Sequence, residues 1–147
     1  MRFIITSRRD EANAVPAPDA AFDEKVFTAF MKYNEDLHRA GVLVASEGLT
    51  AGAPGARVVA SRGRRKVVDG PFAESKELVG GFWVIDVPAL EDAKLWALRC
   101  PIGMDTADVL EIRQLTGAEE IPPPFLELAA KAAPTWTAAF LTKKSPH

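Results

Sequence analysis

The feature that most constrains the fold is a predicted strand with apolar side chains on both of its faces. Residues Phe82 to Val87 run Phe-Trp-Val-Ile-Asp-Val, and neighbouring side chains alternate across a strand. The runs from Phe3 to Ile5 and from Val42 to Ala45 have the same two-sided apolar character. An antiparallel sheet with one face in water would alternate apolar with polar residues. The sequence therefore predicts a sheet that is covered on both faces.

The order of the predicted elements along the chain is β-α-β-hairpin-β-α-β. The predicted strands are residues 2–6, 42–48, 82–87 and 108–115, with hairpin arms at 57–61 and 65–68. One helix is predicted from a cap at Asp19 to a stop at Gly41, and a second helix lies between Pro88 and Pro101. This order is typical of a ferredoxin-like α+β fold, in which both helices lie on one face of an antiparallel sheet.

The second face of this sheet needs a cover that the two helices cannot supply. A second copy of the chain, stacked sheet on sheet around a two-fold axis, is one possible cover. The residues after Gly117, folded back on the body, are the other. We expect the homodimer, with an isologous interface that forms a dimeric α/β barrel.

The last part of the chain has a different character from the rest. Residues 119–124 read as a stiff extended link, and a short helix is predicted from Phe125 until Pro134 stops it. The apolar residues Trp136 and Phe140 follow. At 147 residues the chain has the size of one domain. We therefore predict one domain at 1–115 and a C-terminal extension at 116–147, which is either a docking arm or partly flexible.

Composition narrows the function classes. The net charge is −2 and the pI is about 5.7, which argues against a dedicated nucleic-acid binder. The basic cluster at 62–66 is expected at a hairpin tip, and nucleic-acid binding would require it to form one continuous patch across a dimer. The one cysteine, Cys100, forms neither an internal disulfide nor a zinc cluster. We expect no metal, cofactor or membrane partner, and a cytoplasmic location.

One segment carries a family resemblance. Residues 67–77, with the core Asp69-Gly70-Pro71-Phe72, followed by Gly80-Gly81-Phe82, resemble the signature of the DGPF subgroup of YCII-related proteins. The segments Tyr33-Asn34-Glu35 and Ser46-Glu47-Gly48-Leu49 resemble the subgroup's first helix and second strand, and the similarity covers about residues 1–115. The resemblance implies a ferredoxin-like fold that dimerises into an α/β barrel.

The resemblance does not carry over the chemistry suggested for the broader family. Relatives have been proposed to use a His/Asp pair whose histidine lies early in the first helix. Here the stretch from Val26 to Phe30 contains no histidine, and the two histidines are His38 and His147. The comparable dyad is therefore missing from this sequence.

Two carboxylates are candidate site residues. Asp69 either forms a turn through backbone N–H bonds or presents a carboxylate at a pocket mouth. Strand alternation places Glu47 on one face with Leu43 and Ala45, where a carboxylate is costly unless it is paired. Its natural partners are cations such as Arg57, Lys76 or Arg99. Glu47 is then either a salt bridge that holds a dimer together or a perturbed acid–base group in a cavity.

Further candidates lie around the DGPF segment and on the first helix. Lys76 would neutralise an anionic ligand or form an ion pair with Glu47 or Asp69. Alternatively, Glu74 and Lys76 are solvent-exposed loop residues without a specific role, as is common for polar residues in loops. Phe72 would anchor the turn in the core. Tyr33 and Asn34 would line the same pocket from the first helix.

These residues support a dimeric domain that binds a small metabolite or anion near the DGPF turn. If it catalyses a reaction, carboxylate acid–base chemistry is the type that the residues support. The alternative is a non-catalytic regulatory or interaction module, in which Asp69 and Glu47 are structural and Trp136 and Phe140 do the recognising. The sequence identifies neither a ligand nor a reaction.

Overall fold

The structure, a computed structural model, describes residues 1–8, 23–49, 55–70, 79–104 and 109–142. The strands are β1 (Arg2–Arg8), β2 (Leu43–Gly48), β3 (Ala56–Ser61), β4 (Arg64–Asp69), β5 (Val79–Asp86) and β6 (Val109–Gln114). The helices are α1 (Glu24–Arg39), α2 (Leu90–Ala97), α3 (Pro123–Ala132) and α4 (Pro134–Thr142), with one 3-10 turn at Ala118–Glu120.

Four strands form one antiparallel sheet in the order β2-β5-β1-β6. The strands β3 and β4 form a separate two-stranded sheet between β2 and β5 in the chain. This α+β arrangement was predicted from the order of elements, and it is consistent with a ferredoxin-like fold.

The two faces of the sheet differ in burial. Phe3, Ile5 and Ile85 are at most 1% exposed, and they form the core with Leu37 of α1 and Ala93 of α2. The face that turns away from the helices is called the open face. Its central residues are only half buried: Ile4, Thr6, Ala45, Phe82 and Val84.

The first helix begins later than the sequence indicated. Its cap is Asp23, whose carboxylate accepts hydrogen bonds from the backbone N–H groups of Lys25 (2.8 Å) and Val26 (3.1 Å). Asp19, the predicted cap, lies outside the described residues. The predicted stop at Gly41 is confirmed, because Gly41 follows the helix with a φ of +70°, a conformation that favours glycine.

A β-bulge in β2 changes which side chains share a face. The register against β5 shifts between Leu43 and Ala45, so that Leu43 lies opposite the buried Ile85 and Ala45 lies opposite Val84 of the open face. Glu47 follows Ala45 onto the open face. The expectation that all three β2 residues share one face was wrong, because a bulge moves every later side chain to the other side.

The C-terminal residues are more helical than predicted. The predicted extended link at 119–124 overlaps the 3-10 turn and the first residues of α3. Pro134, the predicted stop of α3, is also the first residue of α4. Proline suits the first helical position because its missing N–H would have no partner there. In α4 the rings of Trp136 and Phe140 are stacked, with their centroids 4.9 Å apart. Within the described ranges, no helix is both long and apolar enough to cross a membrane.

Candidate functional site

The indole of Trp83 is the centre of the contact between α1 and the sheet. Trp83 is buried on the helix-facing side of β5. The ring of Phe30 is stacked with it at 6.1 Å between centroids, and the ring of Tyr33 meets it edge-on at 5.5 Å. Both partners lie on α1, so aromatic contacts fix this helix against β5.

A hydrogen bond fixes the same contact in orientation. The Trp83 Nε1–H donates to Asn34 Oδ1 over 2.7 Å, and the Ser46 hydroxyl lies 3.4 Å from the same oxygen. An indole nitrogen is a donor only, so the amide of Asn34 must present its oxygen to Trp83. Its Nδ2 group therefore points elsewhere, and no other described residue accepts a hydrogen bond from it.

A cavity of about 230 Å³ lies beside this hydrogen bond, between α1 and the ends of three strands. It is lined by Ser7, Phe30, Met31, Asn34, Ser46, Glu47, Gly48, Gly80, Gly81 and Trp83. Pockets for drug-sized ligands have volumes of roughly 300–1,000 Å³. This cavity is therefore matched to a smaller molecule.

Two glycines leave the space for the cavity. A Cβ atom on Gly81 would lie 2.9 Å from the carbonyl oxygen of Glu47, so β2 and β5 come together only because Gly81 has no side chain. Gly48 lies two residues after Ser46, so a Cβ atom there would project to the same face as Ser46. That Cβ atom would meet nothing within 4 Å. Gly48 thus borders open space that a side chain would fill.

The lining of the cavity carries little charge. Glu47 is the one charged residue in the described lining. Glu47 lies opposite Phe82, a residue of the open face, so the Glu47 side chain also lies on the open face. Glu47 is exposed and makes no ion pair with any described residue. No cation lines the described part of the cavity, so these residues favour a neutral ligand over an anion.

Arg99, one predicted partner of Glu47, is engaged elsewhere. Its guanidinium lies 4.2 Å from the ring centre of Trp96 and pairs with the carboxylate of Asp36 at 2.7 Å. The hydroxyl of Tyr33 donates to the Trp96 carbonyl oxygen over 3.2 Å. Burial raises the pKa of Tyr33 above its ordinary value near 10, the nearby Cys100 adds to the rise, and Arg99 opposes it.

The structure separates the predicted site residues. Asn34 and Glu47 border the cavity, whereas Tyr33 is buried in the core behind Trp83 and is not part of the lining. Asp69 is exposed at the end of β4, also outside the lining. Phe72, Glu74 and Lys76 lie outside the described residues. His38 is exposed in the last turn of α1, away from the cavity.

Sequence reasoning missed several residues that shape the cavity. Phe30, Ser7 and Ser46 were not among the predicted site residues, although Ser46 lies in a segment with the family resemblance. The pairing of Gly48 with Gly81 across two strands was the available clue, because glycine inside a strand often marks a close approach or a bound ligand. Across the described ranges, no group of three or more His, Cys, Asp or Glu side chains is placed to hold a metal ion.

These features define an antiparallel α+β domain with a small cavity under its first helix. The chain belongs to the YCII-related domain family, which matches residues 1–117. No curated protein matches the chain in sequence. Among solved structures it is similar to 5-chloro-2-hydroxyhydroquinone dehydrochlorinase from Burkholderia phenoliruptrix AC1100, in complex with 2,5-dihydroxybenzoquinone. The identity is 10% and the TM-score 0.38, over 83% of this chain and 100% of that one.

The hydrogen bond between Trp83 and Asn34 makes a testable contribution to stability. Asn34→Leu leaves the indole N–H without a partner, so we expect the free energy of unfolding to fall by about 1–3 kcal/mol. Asn34→Asp keeps the accepting oxygen and is expected to cost less than about 1 kcal/mol. Urea denaturation followed by tryptophan fluorescence measures both. Equal losses in the two variants would show that the hydrogen bond does not hold α1 in place.

Tyr33 is the one tyrosine of the chain, so its ionisation can be followed directly by absorbance near 295 nm. We expect the folded protein to titrate above the ordinary midpoint near 10, and the urea-unfolded protein to titrate at that value. Neutral Tyr33 therefore stabilises the fold below about pH 10, and this contribution is lost as the pH rises through the folded pKa. A folded midpoint at or below that of the unfolded chain would contradict the burial of the hydroxyl.

Proposed function

We propose that the protein binds a small, uncharged metabolite in the cavity beneath α1. The observation that carries the proposal is the fixed amide of Asn34, whose oxygen is held by Trp83 while its Nδ2 group has no described partner. A polar group held in one orientation at the wall of a mostly apolar cavity is typical of a ligand site. The amide would donate to a carbonyl or hydroxyl oxygen of the ligand.

The walls of the cavity indicate the rest of the ligand. Phe30 and Trp83 supply aromatic surface, and Ser7 and Ser46 supply hydroxyls. The described lining contains one carboxylate and no cation. The sequence suggested a small metabolite or an anion as the ligand, and this lining favours an uncharged metabolite over an anion. The candidates for any acid–base step are Glu47, which borders the cavity although its side chain lies on the open face, and Asp69 with the residues of the DGPF segment. That segment, Asp69 to Phe72, supports placing the chain in the DGPF subgroup.

We also propose that the protein is a homodimer in which two open faces stack. Across the sheet the open face has the rows Ala45–Val84–Ile4–Arg113 and Glu47–Phe82–Thr6–Glu111. The first row is apolar from Ala45 to Ile4 and ends in Arg113, and the second has Phe82 and Thr6 between Glu47 and Glu111, so the charges lie at the edges as in a protein interface with a polar rim. The half-buried centre of this face contrasts with the fully buried helix side of the same strands. A second copy would remove the apolar centre from water.

Filling the cavity tests the binding proposal. Gly48→Val places a β-branched side chain in the open space, and the backbone tolerates it because Gly48 has no positive φ. Gly55→Val is the matched control, since Gly55 also has free space around it but does not line the cavity. Saturation-transfer NMR against a library of neutral aromatic amides and hydroxy-aromatics provides the measurement.

We expect hits with the wild type, unchanged binding by Gly55→Val, and at least a roughly tenfold loss for Gly48→Val, because bound ligand and valine would occupy the same volume. Hits that survive in Gly48→Val would place the site elsewhere. Absence of hits with the wild type would favour the non-catalytic interaction module, which the exposed Phe125, Leu128 and Trp136 would serve.

The dimer proposal has its own test. Light scattering of the wild type is expected to give about twice the 15.9 kDa mass of the chain. Val84→Asp places a charge in the centre of the open face and is expected to give monomer, because an unpaired buried charge is costly. Leu98→Asp, at a site 81% exposed after α2, is the control and should remain dimeric. A wild-type monomer, or a dimeric Val84→Asp variant, would contradict stacking through this face.

A further inference from the structure

The hairpin formed by β3 and β4, called the hairpin arm (residues 56–69), stands apart from the rest of the fold. Its strands pair only with each other in the described part of the chain. They are joined at Arg62 and Gly63, both with positive φ (49° and 76°), as in a two-residue type I′ turn. Every residue of both strands is exposed. The described part of the body therefore leaves the two strands of the arm exposed.

One side of the arm is the more apolar. Val58 (67% exposed) and Val67 (59% exposed) lie directly opposite each other there, with Ala56 and Ala60 on the same side and Asp69 and Arg65 at its two ends. The other side carries Val59, Val68 and Ser61 together with the cations Arg57, Arg64 and Lys66. An isolated two-stranded hairpin is marginally stable in water. The regular pairing of this arm thus calls for a surface that covers its apolar side.

The charge of the arm indicates what that surface is. The arm contains five cationic residues and one carboxylate: Arg57, Arg62, Arg64, Arg65, Lys66 and Asp69. Its net charge is +4, and because the whole chain carries −2, the remaining residues carry −6. A basic arm on an acidic body is complementary to the body of a second copy. In a dimer with a two-fold axis, the arm of each copy would contact the body of the other, so this contact would form twice.

We propose that the hairpin arm is an exchanged interface element, which lays its Val58–Val67 side on the acidic body of a second copy. A nucleic acid would neutralise the cations but would leave the two valines uncovered, so the protein surface fits both features of the arm. This inference rests on the proposed homodimer and adds a second contact region to the stacked open faces.

The side of the arm that makes the contact can be tested with two isosteric double variants. Val58→Thr with Val67→Thr keeps β-branched side chains but adds hydroxyls to the proposed contact side. Val59→Thr with Val68→Thr makes the same change on the other side. Sedimentation equilibrium at a series of protein concentrations gives the dimer dissociation constant, and circular dichroism checks that each variant is folded.

We expect the dissociation constant to rise at least about tenfold for the Val58/Val67 pair and less than about threefold for the Val59/Val68 pair. It should also rise between 50 mM and 500 mM NaCl, because complementary charges are screened by salt. A wild type that is monomeric at all concentrations would overturn both the homodimer and the exchanged arm. A wild-type dimer that neither pair weakens, or that both weaken equally, would overturn the arm contact alone.

Nucleic-acid binding is the competing use of the arm. Wild-type protein is titrated with a fluorescent 20-base-pair DNA duplex of random sequence, beside Arg64→Glu with Lys66→Glu. We expect no binding at 150 mM NaCl. Binding that the charge-reversal variant abolishes, together with a dimer that the Val58/Val67 pair leaves intact, would assign the arm to nucleic acid and overturn the proposal.

Discussion

The hydrogen bond from the Trp83 indole to Asn34 is the interaction on which the candidate site depends. A buried indole can only donate, so the fold has to bring an acceptor to it. Asn34 supplies that acceptor from α1, and the rings of Phe30 and Tyr33 pack on the same indole. These contacts set the distance between helix and sheet, and the cavity is the space left beside them. The Nδ2 end of the Asn34 amide, which has no partner among the described residues, gives that space a fixed polar direction.

The fold could be predicted from the sequence because its strongest signals are local. Two-sided apolar strands, a glycine at +70° after α1 and turn residues at the hairpin tip each determine nearby backbone. Their order along the chain then allows few topologies. The bulge after Leu43 could not be predicted, since one extra residue leaves the apolar pattern intact while it turns Glu47 to the open face. The cap of α1 is Asp23, whereas the sequence predicted Asp19, because several acidic residues near one another suit the cap position equally well.

The candidate site was only partly predictable, because it depends on contacts between distant segments. Tyr33 and Asn34 were predicted together from the first helix, but Asn34 borders the cavity whereas Tyr33 lies behind the indole in the core. Glu47 was predicted from strand alternation and also borders the cavity, although the bulge turns its side chain to the open face. The facing pair Gly48 and Gly81 became informative only when strand register was known, since neither glycine alone distinguishes a cavity from a turn. Charge was informative at the level of segments, in the basic hairpin arm and the acidic remainder of the chain.

The Trp83 indole N–H is held by Asn34 at the wall of the cavity. Hydrogen–deuterium exchange of the indole protons, followed by 1H–15N NMR, measures this directly, and the 56% exposed Trp136 is an internal reference. We expect the Trp83 indole proton to exchange at least about a hundredfold more slowly than that of Trp136, since local opening is required first. We also expect Asn34→Leu to remove most of this protection. Similar exchange of the two indole protons in the wild type would contradict the hydrogen bond.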